Sequence, residues 1–347
     1  MFKKKLESDM INMESFADFE AKSAKYNINY CKNYFETMKS ELLKQKNIFN
    51  NTCLFIIRTS YECKATDLYI NNKIKLLKKF GIKVCIIYLK DIRTDIDYEI
   101  EKLINTMKYY IRRKKNHNFY YLLQKDSHID NESFSYIYKN INNMIKINNL
   151  NLSDVEIINP SYLDNDSYSI QLHQFILSMK NNESFDFSKL LIGPCTPIGA
   201  INMLKFYNKI KIGDNCIVYG KSEILGRPLY DTLSQIGCTV LTFNSNSNQT
   251  IYDSILKDVN NVFLCMSSSD FFNDELYNKI DKNKCNIIDF GINYDKGYLT
   301  GNISDSVLKD HSEKSRNSII TATPSGTALS TLIQIPINIF YNELIRR

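Results

Sequence analysis

No run of this 347-residue sequence approaches the roughly 20 consecutive apolar residues that a membrane span requires. The first ten residues, MFKKKLESDM, are charged and lack the apolar stretch of an export signal. Nine cysteines stand singly between Cys31 and Cys285, and no two have C-x-x-C spacing. That argues against a disulfide framework and for a reduced, cytoplasmic compartment. Four scattered histidines offer no metal-ligand spacing, so no metal is expected. Charge of one sign is also scarce: 44 basic residues against 38 acidic ones give a net charge of +6, with the lysines spread among acids. This favours anionic ligands weakly and makes no case for nucleic acid or a membrane surface.

What is present is the pattern of an α/β protein of roughly two domains. CLFIIR (53–58), KVCIIYL (83–89), FYYLLQ (119–124) and VEIINP (155–160) read as strands, the first ones as buried parallel strands. Between the first two, Leu68, Ile74, Leu77 and Phe80 form an apolar stripe, with Thr66 as N-cap and Gly81 as the stop. Further helices are predicted over Tyr98–Arg112 and Ser133–Ile147. Residues 1–50 show helical periodicity at Tyr30, Tyr34, Met38 and Leu42 and are expected to brace a sheet. A punctuated stretch, GPCTPIG (193–199), marks the transition to a second unit with strand-like runs CIVYG, CTVLTF, NNVFLCM and CNIIDFG. The chain closes with an apolar helix, LSTLIQIPINIFYNELIRR, which needs a partner.

The glycine-rich segment after Tyr219 invites a phosphate-loop reading, but such a loop needs a glycine five residues before Gly220, and Asn215 stands there. The order strand, glycine turn, helix from Pro228 to Ile236, and strand instead fits a dinucleotide-binding unit. An acid at the end of the second strand would bind the ribose hydroxyls of NAD. Thr242-Phe-Asn-Ser245 carries none, while Lys221 and Ser245 suit a 2′-phosphate, so NADP is the expected cofactor.

The chain carries, in order, Tyr69-Ile-Asn-Asn-Lys73, Gln124, Asp164-Asn-Asp166, Pro194-Cys-Thr-Pro197 with Gly199, Gly220-Lys-Ser222 through Gly226-Arg-Pro228, Asp289-Phe-Gly-Ile-Asn293, and Thr321 through Thr331. In this order these motifs resemble the bifunctional methylenetetrahydrofolate dehydrogenase/cyclohydrolase family. The resemblance implies a two-lobed α/β fold. A folate-binding lobe (1–193, completed by 325–347) would sit beside a Rossmann lobe (194–324), with the C-terminal helix returning to the first. It also implies oxidation of methylene-tetrahydrofolate with a nicotinamide cofactor, hydrolysis of the methenyl product to formyl-tetrahydrofolate, and a homodimer.

Site residues follow from the resemblance. Tyr69 and Lys73, four apart on a helix, share one face; alone, such a lysine on a lysine-rich helix would be solvated surface. With the other motifs, Lys73 and Gln124 become candidates for moving protons in the hydrolytic step, and Tyr69 for stacking on the pterin. Asp166, with Asp164 as its rival, would accept hydrogen bonds from the pterin, and Pro324 and Gly326 would border the substrate. Thr196, Gly220, Lys221, Ser222, Gly226, Arg227, Ser245 and Ile292 would hold the dinucleotide. Two departures stand out in this region: Asn302 follows Gly301 where the family has Asp, and Ser325 and Ala328 replace glycines of a turn expected to need positive φ.

Overall fold

The computed structural model describes residues 26–59, 64–90, 95–125, 129–156, 166–247, 254–295, 298–314, 316–323 and 326–346. Two four-stranded sheets organise them. The first has the order β2-β1-β3-β4, from β1 (Thr52–Arg58), β2 (Lys83–Tyr88), β3 (Asn118–Gln124) and β4 (Leu152–Asp154), all parallel. The second has the order β6-β5-β7-β8, from β5 (Asn215–Tyr219), β6 (Thr239–Phe243), β7 (Asn261–Leu264) and β8 (Asn286–Asp289), again parallel. A short antiparallel pair, β9 (Asn293–Asp295) with β10 (Tyr298–Thr300), follows β8.

Period-two alternation explains how the strands are covered. Along β1, Leu54 and Ile56 enter a core that also takes Cys216, Val218 and Phe263 from the second sheet, whereas Cys53, Phe55 and Ile57 point to the opposite face. Each sheet therefore has an outer core of its own and shares the inner one. Helices α3 (Ile96–Arg113) and α4 (Asn131–Ile147) cover the outer face of the first sheet, with Asp95 and Asp130 as their N-caps. The inner core is filled by α6 (Cys195–Phe206) and the last helix, α10 (Thr327–Ile345), which pack on each other. Helix α10 buries Leu329, Leu332, Ile333, Ile335, Ile337, Ile339, Phe340 and Tyr341. At about 1.5–3 kcal/mol for each large side chain, this burial outweighs the cost of the polar groups it carries inward. Those groups are satisfied: Glu343 accepts from Thr52 (3.0 Å), Asn118 (2.7 Å) and Tyr120 (3.0 Å), which ties α10 to β1 and β3.

The remaining helices are α1 (Tyr30–Lys44), α2 (Lys64–Lys79), α5 (Asp166–Lys180), α7 (Gly226–Gln235), α8 (Asp274–Tyr277) and α9 (Asp305–Glu313). Several expectations are corrected here. Helix α1 does bury Tyr34, Met38 and Leu42, but it braces α10 and α6 rather than a sheet. Thr66 lies inside the first turn of α2 and so is not its N-cap, while Leu68's side chain falls outside the described residues. The stop at Gly81 is as expected: φ is +84°, with Gly81 N–H donating to Lys78 O (3.0 Å) and Ile82 N–H to Leu77 O (3.2 Å). The strand expected over 155–160 is instead β4, which ends at Asp154, because the Asp154 carboxylate turns forward to take the Glu156 amide (2.9 Å). Residues 157–160 lie outside the described residues. Helix α7 begins two residues before Pro228, at Gly226.

Candidate active site

The first group of candidate residues gathers at the C-terminal ends of β1 and β3. Lys73, expected from helix composition alone to face solvent, is only 1% exposed. Its Nζ donates to Gln124 Oε1 (2.8 Å), lies 2.6 Å from Glu156 Oε1, and stands 4.9 Å from the centre of the Tyr69 ring. The helical spacing of Tyr69 and Lys73 puts both on the face of α2 turned toward β3, and the parallel register of β1 and β3 brings Gln124 level with Arg58. Gln124 is oriented by its own amide, which donates to Lys125 O (3.2 Å).

Glu156 is the residue that sequence reasoning missed. It is 83 positions from Lys73, just past the end of a strand whose boundary was misplaced, and no local pattern marks it. Burial raises the Tyr69 hydroxyl pKa, as do Glu156 and Cys195, and a hydrogen bond with Thr331 of α10 works against the rise. Cys195 is likewise pushed well up by burial; its thiol donates to Val155 O (3.3 Å), which makes it a packing group here and not a thiolate nucleophile. Thr196, expected at the dinucleotide, is half-buried and follows Cys195 at the edge of this group.

A polar ladder underlies the group. Asn202 Nδ2 donates to Gln334 Oε1 (3.0 Å), and Gln334 Nε2 donates to Asn338 Oδ1 (2.9 Å). Asn338 Nδ2 in turn donates to the carbonyls of Val155 and Gly193, both at 2.8 Å. Helix α10 thereby fixes the backbone just before Glu156 and just before Cys195.

The second group sits at the switch point of the other sheet, where the neighbours of β5 diverge. Gly220 has φ +105°, and a Cβ there would lie 2.4 Å from Cys265 O. A Cβ on Gly226 would lie 2.2 Å from Gly220 O. Both positions therefore require glycine. Ser222 organises the turn: its hydroxyl accepts from Gly226 N–H (3.3 Å) and its carbonyl from Arg227 N–H (3.0 Å). Lys221 is exposed, and Arg227 is exposed beside Asp231 at 3.9 Å. The Gly220 amide donates to Phe243 O (2.8 Å), so the ends of β5 and β6, with Lys221 and the exposed Ser245, share one edge. This cradle, with an apolar sheet beneath it and no acid at 242–245, fits a dinucleotide pyrophosphate at the start of α7.

Ile292 is 59% exposed beyond the end of β8. Beside it, Asp289 accepts from Gly291 N–H, Asn302 N–H and Asn302 Nδ2, all at 2.8 Å, and burial pushes its pKa up to about 6. The amide of Asn302 thus donates directly to this buried carboxylate. Gly326 caps α10 with φ −59°, and Ala328 lies inside the helix. The expectation of a positive-φ turn at Ala328 is corrected: its backbone is helical and its Cβ is at no disadvantage. Pro324, Ser325 and Asp164 lie outside the described residues, as does the Asp166 side chain, although Asp166 opens α5. Among the described residues no three His, Cys, Asp or Glu side chains are grouped to hold a metal ion, and no helix is long and apolar enough to cross a membrane.

Residues 194–343 match the tetrahydrofolate dehydrogenase/cyclohydrolase NAD(P)-binding domain. Among curated proteins, the chain is similar to the bifunctional protein FolD of Maridesulfovibrio salexigens, 30% identical over 159 residues (43% of this chain, 52% of the relative). It is also similar to that of Leptospira interrogans, 28% identical over 164 residues (46% and 53%). The chain thus spans about half the length of the curated relatives it matches. In fold it is similar to the Campylobacter jejuni FolD methylenetetrahydrofolate dehydrogenase/cyclohydrolase (TM-score 0.61, 22% identity, 95% of this chain and 98% of the other). It is equally similar to the Trypanosoma brucei enzyme complexed with NADP and an inhibitor (TM-score 0.61, 16% identity, 91% and 96%).

Proposed function

Because the chain belongs to the FolD-type bifunctional methylenetetrahydrofolate dehydrogenase/cyclohydrolase family, we propose that it carries out NADP-dependent oxidation of methylene-tetrahydrofolate and hydrolysis of the methenyl product to formyl-tetrahydrofolate. The observation that carries this reading is the meeting of Tyr69, Lys73 and Gln124 in one buried polar group. These residues belong to the folate lobe (1–193 with 325–347), and the glycine cradle to the dinucleotide lobe (194–324).

The roles follow from the chemistry of each group. Tyr69 offers a ring face for the pterin, and Lys73, with N–H groups directed by Gln124 and Glu156, moves a proton to or from the reacting water. Gly220, Lys221, Ser222, Gly226, Arg227 and Ser245 would hold the dinucleotide, Lys221 and Ser245 toward a 2′-phosphate, with Thr196 and Ile292 bordering it. A nicotinamide cofactor held by these residues would supply the hydride acceptor for the oxidation. We place the protein in the cytoplasm as a homodimer.

The test is incubation of the purified protein with methylene-tetrahydrofolate and NADP, following NADPH and the methenyl intermediate separately. NADPH should appear with transient methenyl-tetrahydrofolate that then decays. Absence of NADPH would replace this reading with a ligand-binding relative that has no turnover.

A further inference from the structure

The Lys73 ammonium has three N–H donors. One meets Gln124 Oε1, one meets Glu156 Oε1, and the ring of Tyr69 lies beside them. Glu156 is itself held from two directions. Its amide donates to Asp154 Oδ1 (2.9 Å). The preceding residue, Val155, donates to Tyr121 O (3.0 Å) and accepts from Asn338 Nδ2 (2.8 Å). The Glu156 side chain is 17% exposed and that of Lys73 1%. A carboxylate held on a buried ammonium does more than share a surface ion pair: it cancels the charge of that ammonium.

That matters for the reaction proposed above, on which this inference rests. The oxidised substrate carries an amidinium cation at the reacting carbon, whereas the methylene form has no formal charge there. A lone ammonium near that carbon would repel the first and tolerate the second. At about 5 Å and an effective dielectric near 20, the repulsion would weaken binding by roughly a hundredfold to a few hundredfold. We propose that Glu156 is a positioning residue that neutralises Lys73, so that the folate lobe accepts a cationic, methenyl-type ligand as readily as a neutral one. Asn338, reaching from α10, sets the backbone from which Glu156 acts.

The experiment compares wild type, Glu156→Gln and Glu156→Asp in both half-reactions, with NADP affinity and thermal midpoint as checks on folding. Glu156→Gln should raise KM for methenyl-tetrahydrofolate hydrolysis at least tenfold, while KM for methylene-tetrahydrofolate oxidation shifts less than threefold. Glu156→Asp, which keeps the charge, should recover most of the loss. A parallel rise in both KM values, or none in either, would overturn the proposal. Equilibrium binding to the wild type needs no variant: a tenfold preference for the methylene over the methenyl form would also overturn it. Wild-type protein that turns over neither substrate would remove the functional reading itself, and this inference with it.

Discussion

The two candidate regions are built from opposite materials. At Lys73 the working parts are side chains, brought together from α2, β3 and the segment after β4 and buried so that each polar atom needs a named partner. At Gly220 to Gly226 the working part is backbone, and what the sequence contributes is the missing Cβ at two positions. The first depends on contacts between residues 51 and 83 positions apart, the second on a turn of seven residues. Chemistry carried by side chains tolerates no loss of a functional group; a cradle carried by backbone tolerates no gain of an atom.

The comparison breaks most visibly at Lys73. Lys73→Met should lower methenyl hydrolysis by about 10²–10⁴-fold, as loss of a positioned acid/base does, while leaving NADP affinity unchanged in a calorimetric titration. Equal losses in both would show that the regions are not separable. The converse change is Gly226→Ala. Its Cβ would meet Gly220 O at 2.2 Å, a backbone atom that cannot rotate away, so a loss of about 3 kcal/mol is expected in urea unfolding, together with weakened NADP binding.

A third measurement uses buried titratable groups of the second unit. Burial raises Asp289 to about 6 from 3.8, so its contribution to stability is full below about pH 4 and is lost as pH rises through 6. Burial lowers His311 to about 4 from 6.5, so its contribution is full above about 6.5 and is lost as pH falls through 4. Each shift is on the order of 3 kcal/mol, with opposite sign across the same window. His311→Gln should therefore make stability fall, relative to wild type, by about 2–3 kcal/mol between pH 4 and 6.5. Urea melts at four pH values that superimpose for the two proteins would refute the opposition.

Lys221→Ala tests the charged side chain assigned to the 2′-phosphate. Removal of a charge-assisted pair with a 2′-phosphate, about 1.5–3 kcal/mol, should cut NADP affinity ten- to hundredfold and leave NAD affinity unchanged. An unaltered NADP preference would move the cofactor assignment elsewhere. The smallest effect is expected at Ala328, where Ala328→Gly should cost about 1 kcal/mol of stability, as glycine does within a helix, with no gain in kcat/KM for methylene-tetrahydrofolate. A gain would restore the idea of an overcrowded turn.

Legibility followed the same division. The β1, β2 and β3 runs, the stop at Gly81 and the glycine turn could be read because each depends on neighbours within a few residues. Tyr69, Lys73 and Gln124 were named only through a resemblance; their local patterns would have left Lys73 in solvent, where the structure buries it. Glu156 and Asn338 gave no signal, because a glutamate after a strand and an asparagine in an apolar helix acquire meaning only from partners far along the chain. The end of β4 was misread for a related reason: Asp154 uses its side chain to capture the Glu156 amide, and hydrophobic alternation carries no record of that bond.

The placement of α10 also bears on how the molecule is made. The first sheet is complete in sequence at Asp154, yet the helix that covers its inner face does not begin until Thr327, 173 residues later. At about 5–20 residues per second, a ribosome takes roughly 10–35 seconds to supply it. Through that interval Leu54, Ile56, Tyr120 and Leu122 lie on a face still lacking α10, their partner in the shared core. The Glu343 bonds to Thr52, Asn118 and Tyr120 are then among the last to form. Synthesis thus imposes a waiting period on the older half of the chain, during which holding chaperones would find their substrate.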